Sequence, residues 1–327
     1  MTTTADQQTS LADLAAALRT GEVTAVSQVA ALADRLAGLS PAEHGFSHLA
    51  LERAHDAAER ADRVPPPQRG RLHGLLLPVK DLTHVEGMPT TFGSALRTRR
   101  ATATDTVAAE LINQGAIIPG KSAAAELGLT IYTEPPGLPV PDNPLWPGRT
   151  PAGSSGGAAV IVARGLVPAA HASDGGGSIR VPAAATGIVG FKPSAPRLAA
   201  QGFLTTSLAD TAFLHQLDPA PGRRRVGVLT QPLFFGTDVD EVMLTAVAGA
   251  ADRLREATGK DAFTDAFGFI DALVAGDPAA AIGQALALRQ QGEDAVKVLA
   301  AVSWQFTLVA RCVGLLAADP RASDSVV

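Results

Sequence analysis

Between residues 74 and 229 short apolar runs alternate with helical stretches, and no other feature limits the fold as strongly. "GLLLPV" (74–79), "AIIPG" (116–120), "LVPAA" (166–170), "TGIVGFK" (186–192) and "RRVGVL" (224–229) read as short buried strands. "TDTVAAELINQG" (104–115) and "GGAAVIVARG" (156–165) read as helices between them. That order predicts an α/β fold in which helices cover both faces of a sheet.

Helices flank this region. Leu11, Leu14 and Leu18 share one face behind a capping box of Ser10 and Asp13, and Gly21 ends the helix. Thr24 starts a second helix with Val26, Val29, Leu32 and Leu36 at helical spacing, and a third covers about 50–63. "VPPPQRG" (64–70) is a rigid surface connection. After Leu229 the chain is alanine-rich and helical, over roughly 239–258, 261–275, 278–290 and 293–318, with no chemical motif.

Composition removes several classes. Of 327 residues, 46% are hydrophobic, enough for a sizeable core. The net charge of −5 and the lack of a basic stripe argue against a nucleic-acid partner. Cys312 is alone, which excludes an internal disulfide and a multi-cysteine zinc site, and its apolar setting reads as an inert thiol. "MTTTADQQTS" lacks the basic-then-apolar order of a signal peptide, and Val298–Ala310 is too short and too polar to span a bilayer. A cytoplasmic protein with no membrane partner, no metal and no cofactor is expected.

Three stretches carry candidate chemistry. Lys80 follows the apolar run 74–79. It reads either as a snorkelling lysine paired with Asp81 or as a desolvated amine, neutral enough to act as a base. "PAGSSGGAAV" (151–160) sets Ser154 and Ser155 among glycines before a helix: an N-cap, an anion-binding loop or a catalytic hydroxyl. "SDGGGSIRVP" (173–182) places Gly175, Gly176 and Gly177 before Ser178. It is either a glycine linker or an array of N–H groups aimed at one point, the arrangement an oxyanion needs.

Together these stretches are specific. From about Leu72 to Pro193, "GLLLPVKDLTHVEGMPTTFGS" and "NPLWPGRTPAGSSGGAAVIVARGLVPAAHASDGGGSIRVPAAATGIVGFKPS" resemble the amidase signature family of serine hydrolases. The third glycine and "HASDGGGSIR" look more like its nylon-oligomer and aryl-acylamide hydrolases than its tRNA-dependent amidotransferases. The resemblance implies a central mixed β-sheet covered by helices and a Ser–Ser–Lys triad. In it Ser178 is the nucleophile, Ser154 the bridging serine after a cis peptide bond, and Lys80 the base. It further implies oxyanion donors at Gly175, Gly176 and Gly177, and bracing roles for Ser155, Ser173, Asp174 and Arg180. His171 has no place in that triad and reads as a packed polar residue.

The sequence departs from the family pattern at three places. Ala152 stands where a glycine is usual, which suits it only if its φ is negative. In "KSAAAELGL" (121–129) Lys121 and Glu126 are kept, while alanines replace the usual Asn and Met beside the substrate. Beside the family pattern, a shortened C-terminal part is expected. We therefore expect one amidase domain, 1–327: N-terminal helices (1–70), a catalytic core (71–217) and a shortened helical region (218–327). An edge strand left bare by the shortening would be covered in a homodimer. The expected reaction is hydrolysis of a small-molecule amide through an acyl-enzyme on Ser178. Acyl transfer to an amine and a catalytically silent binding homologue are the alternatives.

Overall fold

A computed structural model of the chain describes residues 10–194, 199–217 and 240–258. The chain divides into two compact units, Met1–Ala220 and Pro221–Val327. The expected strand 224–229, the helices beyond 261 and Cys312 lie outside the described residues.

In the first unit, helices α1 (Leu11–Thr20) and α2 (Ala25–Leu36) start where their caps predict. The Ser10 and Thr24 side chains accept the N–H groups of Asp13 and Ser27. Next come α3 (Pro41–His44), β1 (Phe46–Leu49) and α4 (Leu51–Asp62). The Asp62 carboxylate accepts from Ala25 N–H at 2.7 Å and Val26 N–H at 3.1 Å, fastening the end of α4 to the start of α2. The core continues as β2 (Val79–Lys80), β3 (Pro89–Thr90), β4 (Arg99–Arg100), α5 (Thr106–Asn113), β5 (Gly120–Ser122) and α6 (Gly156–Ala163). It closes with β6 (Ala169–Asp174), α7 (Arg180–Thr186), β7 (Val189–Phe191), β8 (Ala200–Thr205) and α8 (Leu208–His215). In the second unit the described residues form α9 (Glu241–Thr258).

The strands form mixed and antiparallel sheets. One has the order β1-β5-β2, with β1 antiparallel and β2 parallel to β5. Another, β6-β8-β7, is antiparallel, and β3 and β4 make a small hairpin. The two larger sheets meet where His171 N–H donates to Pro78 O at 2.9 Å. Three buried apolar clusters pack around them.

Helix α6 lies at the centre. It is apolar on every side and buried from Gly156 to Val162, the signature of a helix enclosed by protein. Gly157 lets it approach β5: a Cβ there would stand 2.3 Å from Ala123 N and 2.4 Å from Gly45 O.

The α/β class and the positions of α1, α2, α4, α5 and α6 follow the sequence. Three elements differ. The paired strands lie downstream of their apolar runs: β5 is Gly120–Ser122, while Ile117 makes only an isolated bridge to Leu76. An apolar run marks burial, whereas pairing depends on which backbone groups meet. β8, the middle strand of its sheet, has no sequence signal beyond Ala200, Gly202 and Leu204 facing inward with Gln201 exposed. Helix α7 is hidden because it begins directly after the glycine turn and carries Pro182 in its first turn, where proline is tolerated. Among the described residues no helix is long and apolar enough to cross a membrane.

Candidate active site

Lys80 ends β2 with its side chain almost wholly buried, at 1% exposure. Its Nζ lies 2.8 Å from Ser154 Oγ, 3.2 Å from Ser173 Oγ and 3.4 Å from Ser173 O. The pairing with Asp81 is absent. Asp81 instead takes the buried Lys121 at 3.2 Å, together with the Thr91 hydroxyl and N–H. One strand alternation separates these systems, because Lys121 pairs with Val79 across the parallel ladder while Lys80 pairs with Ser122. Burial drives the Lys80 pKa down from 10.5 to about 7, and the nearby Asp174 carboxylate offsets only part of that. The Lys121 pKa is also lowered by burial, opposed by Asp81.

Ser154 follows a cis Gly153–Ser154 peptide bond, as the resemblance implied. The bond sits in a fixed setting. The backbone of Tyr132 packs on Gly153, and Thr133 Oγ1 donates to Ala152 O at 2.9 Å while accepting Gly156 N–H at 3.1 Å. Thr133 therefore fills the role that the capping reading gave to the serines. Ser155 occupies the N-cap position of α6 but makes no side-chain cap, and its hydroxyl is 3.4 Å from Ser173 O. Sequence reasoning passed over Thr133, which lies in no motif. Ala152 has φ +60°, so the expectation of a negative φ fails, and an alanine holds a left-handed position where glycine costs less.

Ser178 sits on the turn from β6 into α7, half-buried. Among the described residues no hydrogen bond engages its hydroxyl. The turn is organised from below by Asp174, which is buried. Its carboxylate accepts from Gly177 N–H at 2.7 Å and Ile179 N–H at 3.2 Å, on either side of the serine. Arg180 closes a two-pronged ion pair on the same carboxylate at 2.9 and 3.0 Å. Burial alone would raise the Asp174 pKa, but the bonds from Arg180, Gly177 and Ile179 outweigh it and hold the carboxyl well below the usual range.

The three glycines differ in role. Only Gly177 has a positive φ, +117°, and a Cβ there would meet Val181 Cγ2 at 2.9 Å. Its N–H is committed to Asp174, so it is not free to face a substrate. Gly175 and Gly176 are exposed; a Cβ at Gly175 would touch only Ala199 Cβ, at 4.0 Å, and one at Gly176 would meet nothing. The linker reading does not fit a turn pinned at 177 and 179.

His171 on β6 is fully buried. Its Nδ1 accepts the Lys80 backbone N–H at 3.3 Å and its Nε2 lies 2.9 Å from Gln201 Oε1. Burial pushes its pKa down to about 4; the Gln201 bond opposes this, and the charges of Lys80 and Lys121 add to it. An open groove of about 510 Å³, lined in part by Leu82, Glu110, Ser173 and Gln201, adjoins this side. Among the described residues no group of three or more His, Cys, Asp or Glu comes together to hold a metal ion.

Known proteins share this arrangement of chain. The family model Amidase matches residues 27–231. A glutamyl-tRNA(Gln) amidotransferase component from Chloroflexus aurantiacus is 38% identical over 192 residues, 58% of this chain and 39% of its own. The 6-aminohexanoate cyclic dimer hydrolase structure matches with a TM-score of 0.67 at 25% identity, covering 79% of this chain and 61% of that one. The native peptide amidase of Stenotrophomonas maltophilia matches with a TM-score of 0.57 at 27% identity, covering 63% and 47%. The chain spans about half or less of the length of the curated relatives it matches. With the family model covering well over half its residues, the chain belongs to the amidase (amidase-signature) family.

Proposed function

We propose that the protein hydrolyses a small-molecule carboxylic amide, with Ser178 as nucleophile, Ser154 as proton bridge and Lys80 as base. The observation that carries the reading is the buried Lys80 amine, 2.8 Å from Ser154 Oγ and poised near neutrality. A serine hydroxyl is a weak nucleophile until a base removes its proton, and a general base works best with a pKa near the working pH.

In the proposed reaction Ser178 Oγ attacks the carbonyl carbon. Its proton passes to Ser154 Oγ as the Ser154 proton passes to neutral Lys80 Nζ, making an ammonium. The negative charge gathers on the former carbonyl oxygen, which the N–H groups of Gly175, Gly176 and Ser178 would receive. Gly177 is left out of that set because its N–H serves Asp174. Collapse breaks the C–N bond, and the amine leaves with a proton returned from Lys80 through Ser154. Water then attacks the acyl-enzyme by the same relay and releases the acid. Asp174 and Arg180 brace the nucleophile turn, while Ser173 and Ser155 brace the amine and the bridging loop.

Fluorophosphonate labelling tests this reading. A mass increase on the peptide holding Ser178, lost in Lys80→Ala, is expected. A folded protein that takes no label would instead be the silent homologue. With label established, the ratio of hydroxamate to acid formed from an amide in the presence of hydroxylamine separates acyl transfer from hydrolysis.

A further inference from the structure

We propose that His171 is a positioning residue for Lys80: as the Nε2–H tautomer held by Gln201, it accepts the Lys80 backbone N–H and fixes the strand end that carries the amine to Ser154. The proposal rests on the reading of Lys80 as base and adds a residue outside the triad.

The backbone geometry at β2 requires such an acceptor. Asp81 N–H donates to Ser122 O on β5 at 3.0 Å, so Lys80 N–H faces the other way, toward β6. There His171 N–H donates to Pro78 O at 2.9 Å. Lys80 N–H, two residues on, meets the imidazole Nδ1 of the same His171, at 3.3 Å, in place of a backbone carbonyl. A buried N–H is costly to leave without an acceptor, so the ring holds the two sheets together at the point where Lys80 leaves them.

The protonation of the ring follows from its partners. Lys80 N–H can only donate, so Nδ1 bears a lone pair. The neutral ring then carries its hydrogen on Nε2 and donates it to Gln201 Oε1 at 2.9 Å. Phe203 closes the site, edge-on at 6.3 Å between ring centroids. The charged groups around Lys80 are Asp174 on β6, with Asp81 and Lys121 paired to each other beside it. A neutral ring adds no charge next to an amine that must take up a proton. An imidazolium would add one, and would offer Lys80 N–H a donor in place of an acceptor.

Nitrogen-15 NMR on the whole chain, paired with fluorophosphonate labelling of Ser178, tests the proposal. The expected spectrum shows one neutral tautomer with the proton on Nε2 and a scalar coupling across the hydrogen bond from Lys80 amide N to His171 Nδ1. His171→Leu removes the acceptor, and the strand end then relaxes toward water. The Lys80 Nζ titration moves up toward 10.5 and the limiting labelling rate falls about 100-fold at nearly unchanged half-saturating probe. His171→Asn, which keeps an acceptor oxygen, restores most of both. Gln201→Leu, at an exposed position, removes the acceptor that holds Nε2–H, weakens the coupling to Nδ1 and lowers the rate part of the way, and it stands in if His171→Leu does not fold. A proton on Nδ1, no coupling, or a Lys80 titration and labelling rate unmoved in both leucine variants would overturn the proposal. A Lys80 titration that moves while the pH profile of labelling does not follow would leave the positioning role standing and remove Lys80 as the base.

Discussion

At the scale of single residues the site is costly to hold. Lys80 is lowered to about 7 in the folded chain and stays near 10.5 when unfolded. Between those values the unfolded chain binds the extra proton, so stability rises with pH across that window and the burial penalty is fully felt below it. Lys80→Met should therefore stabilise the chain at neutral pH by roughly 2 kcal/mol after the lost hydrogen bonds are allowed for, and the gain should shrink as pH approaches 10.5. Chemical denaturation at two pH values measures this, and labelling of Ser178 should be abolished in the same variant. Ala152 is a second cost. Ala152→Gly relieves its left-handed φ of +60° and should raise stability by roughly 0.5–1 kcal/mol, which a denaturant midpoint reports. The contact of Lys80 with Ser154 was legible in the sequence through the family resemblance, which also names Ser178 for the proposed site. That Lys80 would leave Asp81 to Lys121 was not, since it depends on which face of β2 each side chain takes.

At the scale of elements, helix α6 and the turns at its ends set the geometry. Gly157→Ala would drive a Cβ into the backbone of Ala123 and Gly45 and should cost about 3 kcal/mol or abolish folding. Thr133→Val would leave Gly156 N–H without its acceptor and Ala152 O without its donor, and should cost about 1–3 kcal/mol in the same denaturation assay. The turn that carries Ser178 depends on ionised Asp174. Its carboxyl lies below the ordinary aspartate value of 3.8 in the folded chain, so it contributes stability above that pH and the contribution is lost as acid protonates the folded carboxyl. Asp174→Asn should accordingly flatten the acid limb of the stability profile. Helices with caps and an apolar stripe were readable in advance. β8 and α7 were not, because a short strand with little apolar content and a helix that begins just after a glycine turn are specified by the partners they meet.

At the scale of the whole molecule, the first unit carries every residue of the proposed site, from Lys80 on β2 to Arg180 at the start of α7. The site is assembled where two sheets join, at Pro78 and His171, with α6 behind it. Segments that lie apart, around 80, 154 and 173, meet at the Lys80 amine, which reaches the hydroxyls of Ser154 and Ser173. The second contact across the join, from Lys80 N–H to the His171 imidazole, required coordinates. The most direct measurement is the rate of fluorophosphonate labelling of Ser178 across neutral pH. The account predicts a rate that rises along a single titration with its midpoint near 7 and vanishes in Lys80→Met. A rate that ignores pH there, or that survives unchanged without the amine, would contradict it.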